Sequence, residues 1–103
     1  MIAPPAAARA ERLADYVGRC TSVEPTTCWG MIESDIGALR RTDDGRTFCL
    51  PRTWGATHGE LTSYPVAFLD HVRSRLAAAR FGQASAPHTQ VLAQVLGQIY
   101  PCS

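Results

Sequence analysis

Four cysteines are the residues of this sequence with the clearest chemical potential: Cys20, Cys28, Cys49 and Cys102. An even number of cysteines in so short a chain is typical of two disulfides formed in an oxidising compartment. A zinc site is the alternative, but zinc ligands usually come in close pairs such as C-x2-C, and no two of these cysteines have that spacing. We therefore predict two disulfides.

The pairing of the cysteines stays open, since three pairings are possible. Cys20 and Cys28 flank one short turn and could pair with each other. Cys49 could then pair with Cys102, if the crossover stays at the opposite end of the bundle. If the crossover instead returns along the bundle toward the turn between Cys20 and Cys28, Cys28 pairs with Cys49 and Cys20 pairs with Cys102.

Candidate catalytic groups do not combine into a site. The histidines His58, His71 and His88 lie in separate segments without a metal-ligand pattern. Cys49 could act as a nucleophile with His58 or His71 as its base, but a disulfide would consume the thiol. The glycines never form a G-x-G-x-x-G or Walker pattern. We predict no catalytic residue, no metal and no cofactor.

Composition limits the remaining possibilities. The 103 residues suit a single domain, and ten basic residues against nine acidic ones give no excess charge that would favour nucleic acid or anionic lipid. No apolar run approaches the ~20 residues that cross a bilayer. Alanine and leucine are abundant and β-branched residues sparse, which favours helix.

Apolar spacing predicts the helices that must position the cysteines. Pro65 is tolerated if Thr62 or Ser63 caps the third helix, and Ser85 can cap the fourth, with Pro87 in its first turn. The sequence predicts an all-α, small irregular four-helix domain with a long crossover loop and two disulfides. The four helices are expected within residues 6–20, 28–39, 61–81 and 85–99, with a turn at 21–27 and the crossover at 42–57.

The first ten residues are rich in proline and alanine and have neither a basic nor an apolar signal-peptide region. We expect them to be flexible. If the protein is exported, the sequence corresponds to a mature form whose leader has been removed.

The surroundings of the cysteines carry a family signal. Cys20 ends the first helix, and C-W-G-M-I-E-S begins at Cys28. F-C-L-P begins at Phe48, and the chain closes with I-Y-P-C. These contexts resemble the Rap1a/Tai family of immunity proteins, whose members have a C-x-G-Y-I-x-G helix start, a C-L-P segment and an F-P-C terminus. Met31 and Ser34 depart from the usual tyrosine and glycine of that helix start.

The resemblance implies a periplasmic, helical, disulfide-bonded protein that binds a secreted effector. The best-studied members neutralise peptidoglycan amidases delivered by type VI secretion, often as dimers. Segments expected to meet a partner are the crossover at 41–54 and the connection at 80–88, because both are irregular and polar or aromatic. The candidate partner-binding residues are Arg46, Arg52, Trp54, Arg80 and His88.

Alternatives remain for the residues and for the function. Trp54 could instead be a core residue that fastens the crossover. A small periplasmic chaperone or stress protein would also be helical, but three histidines and balanced charge make a poor acid switch. An enzyme using Cys49, or a histidine with a carboxylate, is the third hypothesis.

Overall fold

The computed structural model describes residues 11–43, 47–54 and 64–102, so the N-terminal ten residues, Arg46 and His58 lie outside it. Four α-helices make up the described fold, and no strand occurs in these ranges beyond one isolated backbone bridge between Arg12 and Pro87. The predicted all-α class is confirmed. The helices are α1 (Leu13–Thr21), α2 (Pro25–Asp43), α3 (Val66–Gln83) and α4 (His88–Ile99).

Prolines set three of the helix starts. Helix α2 begins at Pro25, three residues before the predicted start, because proline suits the first helical position, where its missing N–H is not needed. Pro65 and Pro87 occupy the N-cap positions of α3 and α4 with extended backbone. The prediction of Ser85 as the cap of α4 was therefore wrong, whereas Thr62 and Ser63 lie outside the described residues. Each of these prolines ends the preceding connection with a φ it already prefers.

The apolar faces of the four helices close on one core. Leu13, Ile32, Ile36, Val72 and Leu92 are all fully or almost fully buried, and each lies on the apolar stripe of its helix. Phe48 and Leu50 join this core from the crossover, and Tyr64 joins it from the segment before α3.

The start of α1 is capped by backbone rather than by a side chain. The amides of Leu13 and Ala14 donate to the carbonyl oxygens of Ala86 and Ala84, at 2.8 and 3.0 Å. These bonds satisfy two of the N–H groups that a helix start leaves without partners. The amide of His88 donates in return to the Glu11 carbonyl at 2.7 Å. The α3–α4 connection is therefore joined to the start of α1.

Both disulfides are present, and their pairing is the first of those considered. Cys20 pairs with Cys28 across the α1–α2 turn, with Cα atoms 4.8 Å apart. Cys49 pairs with Cys102, with Cα atoms 5.1 Å apart, and joins the crossover to the end of the chain.

Within the described ranges, none of the helices combines the length and the apolarity that crossing a membrane requires.

Candidate functional site

The crossover segment, residues 47–54, is irregular in backbone but held firmly against α4. Besides the disulfide to Cys102, the Cys49 amide donates to the Tyr100 carbonyl at 2.9 Å. The Thr47 carbonyl oxygen lies only 2.8 Å from where a Cβ would stand on Gly97. Glycine at position 97 therefore permits the crossover backbone to touch the helix directly.

Arg40 of α2 forms hydrogen bonds to the other end of the crossover segment. Its Nη1 donates to the Trp54 carbonyl and, at 3.1 Å, to the Tyr64 hydroxyl. Its Nη2 donates to the Pro51 carbonyl at 3.4 Å. A guanidinium supplies several donors in one plane, so a single side chain bonds two carbonyls of the crossover segment and the hydroxyl of Tyr64, two residues before α3.

Trp54 is half-buried in an aromatic cluster that closes the crossover segment. Its ring centroid lies 4.8 Å from that of Phe68 and 5.4 Å from that of Tyr100, with Tyr64 farther away at 6.4 Å. Tilted and edge-on pairs at these distances are favourable beyond their buried area. This packing agrees with the alternative in which Trp54 fastens the loop.

The crossover segment exposes Thr47 and Cys49 and, in a short turn, Arg52 and Thr53. Phe48 and Leu50 are buried. Arg52 has no ion pair with any described residue. The arrangement is therefore a rigid backbone that carries an unpaired arginine at the surface.

His88 lies in a second polar cluster, at the start of α4. It is only 6 % exposed, and its Nε2 lies 3.3 Å from an oxygen of Asp35 on α2. Its Nδ1 lies 3.1 Å from the Glu11 amide nitrogen and 3.2 Å from the Glu11 carbonyl oxygen. The imidazole stacks on the Tyr16 ring at 4.2 Å, nearly parallel. Both ring nitrogens thus face groups of the fold itself.

Opposing effects set the charges in this cluster. Burial alone would lower the pKa of His88, but the hydrogen bond and charge of Asp35 more than compensate and raise it above its ordinary value. Burial would likewise raise the pKa of Asp35, yet His88 and the Tyr16 hydroxyl lower it overall. Burial and the Asp35 charge raise the pKa of Tyr16, so its phenol is neutral.

An open groove of about 220 Å³ lies beside the His88 cluster, with Met31, Ser34 and Arg19 on its walls. Arg19 pairs with the Glu11 carboxylate across it. The Tyr16 hydroxyl is buried and reaches no described residue in hydrogen-bond geometry, although Asp35 is close enough to act on its pKa. His88 and Asp35 also line this groove, and the imidazole joins α4 to α2 and to Glu11, two residues before α1.

The largest exposed aromatic surface is on α3. Phe81 is 84 % exposed, and the Arg80 guanidinium carbon lies 5.3 Å from its ring centroid. Arginine over an aromatic face is a pair often found where proteins bind one another.

The candidate residues are thus distributed over separate parts of the fold. Arg52 and Trp54 share the crossover segment, one exposed and the other packed. Arg80 is exposed at the end of α3, while His88 is buried across the connection. Arg46 lies outside the described residues.

Four structurally important residues were not singled out by the sequence: Tyr16, Asp35, Arg40 and Phe81. Tyr16 follows Leu13 by three residues and precedes Cys20 by four, so helical spacing is the signal that could have identified it as buried. Arg40 lies near the end of a helix, where arginine is common, so its residue type gave no signal of its partners. Asp35 and Phe81 gave no signal, because an acidic residue on a helix and an aromatic residue at a helix end are both common.

The described ranges contain no group of three histidine, cysteine, aspartate or glutamate side chains arranged to hold a metal ion. Comparison of the chain with protein-family profiles, with curated proteins and with solved structures found no match to any of them.

Proposed function

We propose that this protein is a periplasmic immunity-type protein, which binds and neutralises a secreted effector and catalyses no reaction itself. A peptidoglycan amidase delivered by type VI secretion is the first candidate effector. The observation that carries the proposal is the crossover segment, where Arg52 stands exposed on a backbone fastened by the Cys49–Cys102 disulfide, Arg40 and Trp54.

Rigidity is what makes this segment suitable for binding. Ordering a mobile loop on association costs free energy, and a segment already held in one conformation avoids that cost. Arginine is also enriched among the residues that contribute most to protein interfaces. A fastened, exposed Arg52 is therefore a plausible anchor for a partner's carboxylate or carbonyl groups.

The cysteine contexts give independent support. The four contexts that resemble the Rap1a/Tai family are the ones that form the two disulfides of this fold. Disulfides of this kind persist in oxidising compartments such as the periplasm. The resemblance also brings homodimer formation into the proposal, which sedimentation velocity would test.

A general chaperone or stress protein is the alternative function. Chaperones that capture many clients need contiguous apolar surface. Among the described residues, the large apolar side chains that are exposed are Val23, in the α1–α2 turn, and Val66 and Phe81, at opposite ends of α3. Scattered exposure of this kind favours a specific binder over a promiscuous one.

The test is inhibition of a purified hydrolase. Each exported peptidoglycan hydrolase encoded beside this gene would be assayed on peptidoglycan with increasing amounts of this protein. We expect stoichiometric inhibition by one of them. Loss of the charged anchor in Arg52→Ala should weaken inhibition at least about fivefold, corresponding to the ~1 kcal/mol or more typical of an interface anchor.

Arg19→Ala is the control, since Arg19 is an exposed arginine on α1 and lies outside both segments expected to meet a partner. It should inhibit like the parent protein. If no adjacent hydrolase is inhibited, the immunity function is wrong. If inhibition occurs but Arg52→Ala inhibits as well as the parent, the crossover segment is not the binding surface.

A further inference from the structure

The charges of this protein are divided unequally along the chain. Residues 71–103 contain three arginines and no aspartate or glutamate, whereas all nine acidic residues lie in residues 1–70 beside seven arginines. The net charges are therefore about +3 and −2, counting histidine as neutral. The basic part includes most of α3 and all of α4.

These two helices enclose a groove of about 260 Å³ on their outer side. Its floor consists of the buried Val91 and Val95, and its walls carry polar side chains. The wall residues are Arg75, Gln83, Gln94 and Gln98. Amide and guanidinium groups around an apolar floor can accept a peptide segment that brings both polar and apolar side chains.

Phe81 extends this surface beyond the groove. Ala78 lines the groove and lies three residues before Phe81, so the two are neighbours on the surface of α3. Ala78 is itself exposed. An aromatic side chain with 84 % of its surface exposed gains much from burial by a partner.

Two arginines of the basic part, Arg75 and Arg80, are not neutralised by an ion pair among the described residues, whereas three arginines of the fold are. Arg12, Arg19 and Arg73 each form an ion pair with a nearby carboxylate. Arg75 instead donates to the amide oxygen of Gln98, and Arg80 lies over Phe81. Neither has a carboxylate partner among the described residues.

We propose that the α3–α4 groove, together with Arg80 and Phe81, is a docking surface for an acidic segment of the partner protein. Carboxylates of that segment pair with Arg75 and Arg80, and an apolar side chain packs against Phe81. This inference rests on the proposed function, because it takes the partner to be a protein. It adds that the part of the partner that docks here is acidic.

The test uses two peptide probes and no effector. One is a short acetylated peptide of glutamate, alanine and leucine, and the other has lysine in place of every glutamate. Binding to the full chain is measured by fluorescence anisotropy at low and high salt. Backbone amide NMR spectra of the labelled protein locate the contact. We expect the glutamate peptide to bind and to weaken with salt, and the lysine peptide not to bind.

Variants then test the two anchors. Phe81→Ala and Arg80→Gln should each weaken binding of the glutamate peptide at least about fivefold. Arg41→Gln removes an exposed arginine from α2 and should leave the affinity unchanged. Unaltered thermal unfolding of each variant would show that the changes in affinity are not caused by unfolding.

Several results would overturn this proposal. They are absence of binding, equal binding of both peptides, an affinity that survives both substitutions, or amide shifts confined to residues outside 74–98. Self-association of the parent chain that Phe81→Ala abolishes would assign the surface to a second copy instead. Peptide binding without inhibition of any hydrolase would contradict the immunity function alone.

Discussion

Nε2 of His88 lies 3.3 Å from a carboxylate oxygen of Asp35, which joins the first residue of α4 to the middle of α2. The other ring nitrogen of His88 contacts the backbone of Glu11, just before α1. One buried imidazole therefore connects three elements. A group in this position makes the stability of the fold depend on pH.

The sign of that dependence follows from the two pKa shifts. The pKa of His88 is raised, so its stabilising contribution is fully present below the ordinary value near 6.5 and is lost as pH rises through the raised value. The pKa of Asp35 is lowered, so its contribution is present above about 3.8 and is lost as pH falls through the lowered value. The pair should contribute most between about pH 4 and 6.5.

Asp35→Asn tests this prediction. Removing the carboxylate should lower the pKa of His88, and near pH 5.5 it should cost about 2 kcal/mol of unfolding free energy, since it breaks a hydrogen bond to a charged group. Urea unfolding at about pH 5.5 and 8 should show that this cost shrinks at the higher pH. The control is His71→Gln, on the exposed face of α3. A cost for Asp35→Asn that does not vary with pH would contradict the linkage.

The two disulfides should differ in reactivity. Cys49 is exposed, whereas Cys20 and Cys28 are at most 4 % exposed. Since exchange requires access to a sulfur atom, a mild reductant should open Cys49–Cys102 first. Alkylation followed by peptide mass spectrometry would identify the thiols released. Equal rates of reduction for the two pairs would contradict the prediction.

Reduction of the Cys49–Cys102 disulfide should also lower the free energy of unfolding. Its partners are 53 residues apart in sequence, against 8 for Cys20–Cys28. In the chain-entropy treatment, the longer loop corresponds to about 4 kcal/mol and the shorter to about 2.5 kcal/mol. Urea unfolding of the singly reduced, alkylated protein would measure the loss.

Arg40 should control the position of the crossover segment. Arg40→Ala leaves two carbonyls and the Tyr64 hydroxyl without their donor, at a cost of about 2 kcal/mol in unfolding free energy. Arg40→Lys keeps the charge but cannot bond all three acceptors, so it should recover less than half. Acrylamide quenching of Trp54, in a Trp29→Phe background, should increase in both.

Arg41→Ala is the control for Arg40, because it removes the neighbouring, exposed arginine. It should change neither stability nor quenching. The Trp29→Phe background loses no hydrogen bond, since the buried Trp29 Nε1 has no partner among the described residues, and each Arg40 and Arg41 variant is compared with that background. If Arg40→Lys were as stable as the parent, the positive charge of Arg40, rather than its several hydrogen bonds, would account for its contribution to stability.

Helical spacing predicted the number of helices and most of the core, because each helix buries a stripe that is visible in the sequence. The disulfide pairing could not be predicted, since it depends on the direction of the crossover, which no local pattern records. The partners of Arg40 were hidden for a similar reason. Two of them are backbone carbonyls, which every residue possesses.

The candidate sites were predicted less well than the fold. Arg52 and Arg80 are exposed as expected of binding residues, but His88 is buried by contacts with Asp35 and Tyr16 from other helices. Such long-range contacts determine whether a histidine is exposed at the surface or buried in the fold. Charge and residue type alone do not distinguish these outcomes.

Gly97 should resist substitution despite lying within α4. Alanine is ordinarily the better helix former by about 1 kcal/mol, but a Cβ at position 97 would stand 2.8 Å from the Thr47 carbonyl oxygen. The crossover backbone would have to move, and we expect a net loss of about 1–3 kcal/mol in urea unfolding. Gly30→Ala is the matched control, since a Cβ there meets nothing within 4 Å, and it should stabilise the protein. A Gly97→Ala variant as stable as Gly30→Ala would mean that the crossover does not rest against α4.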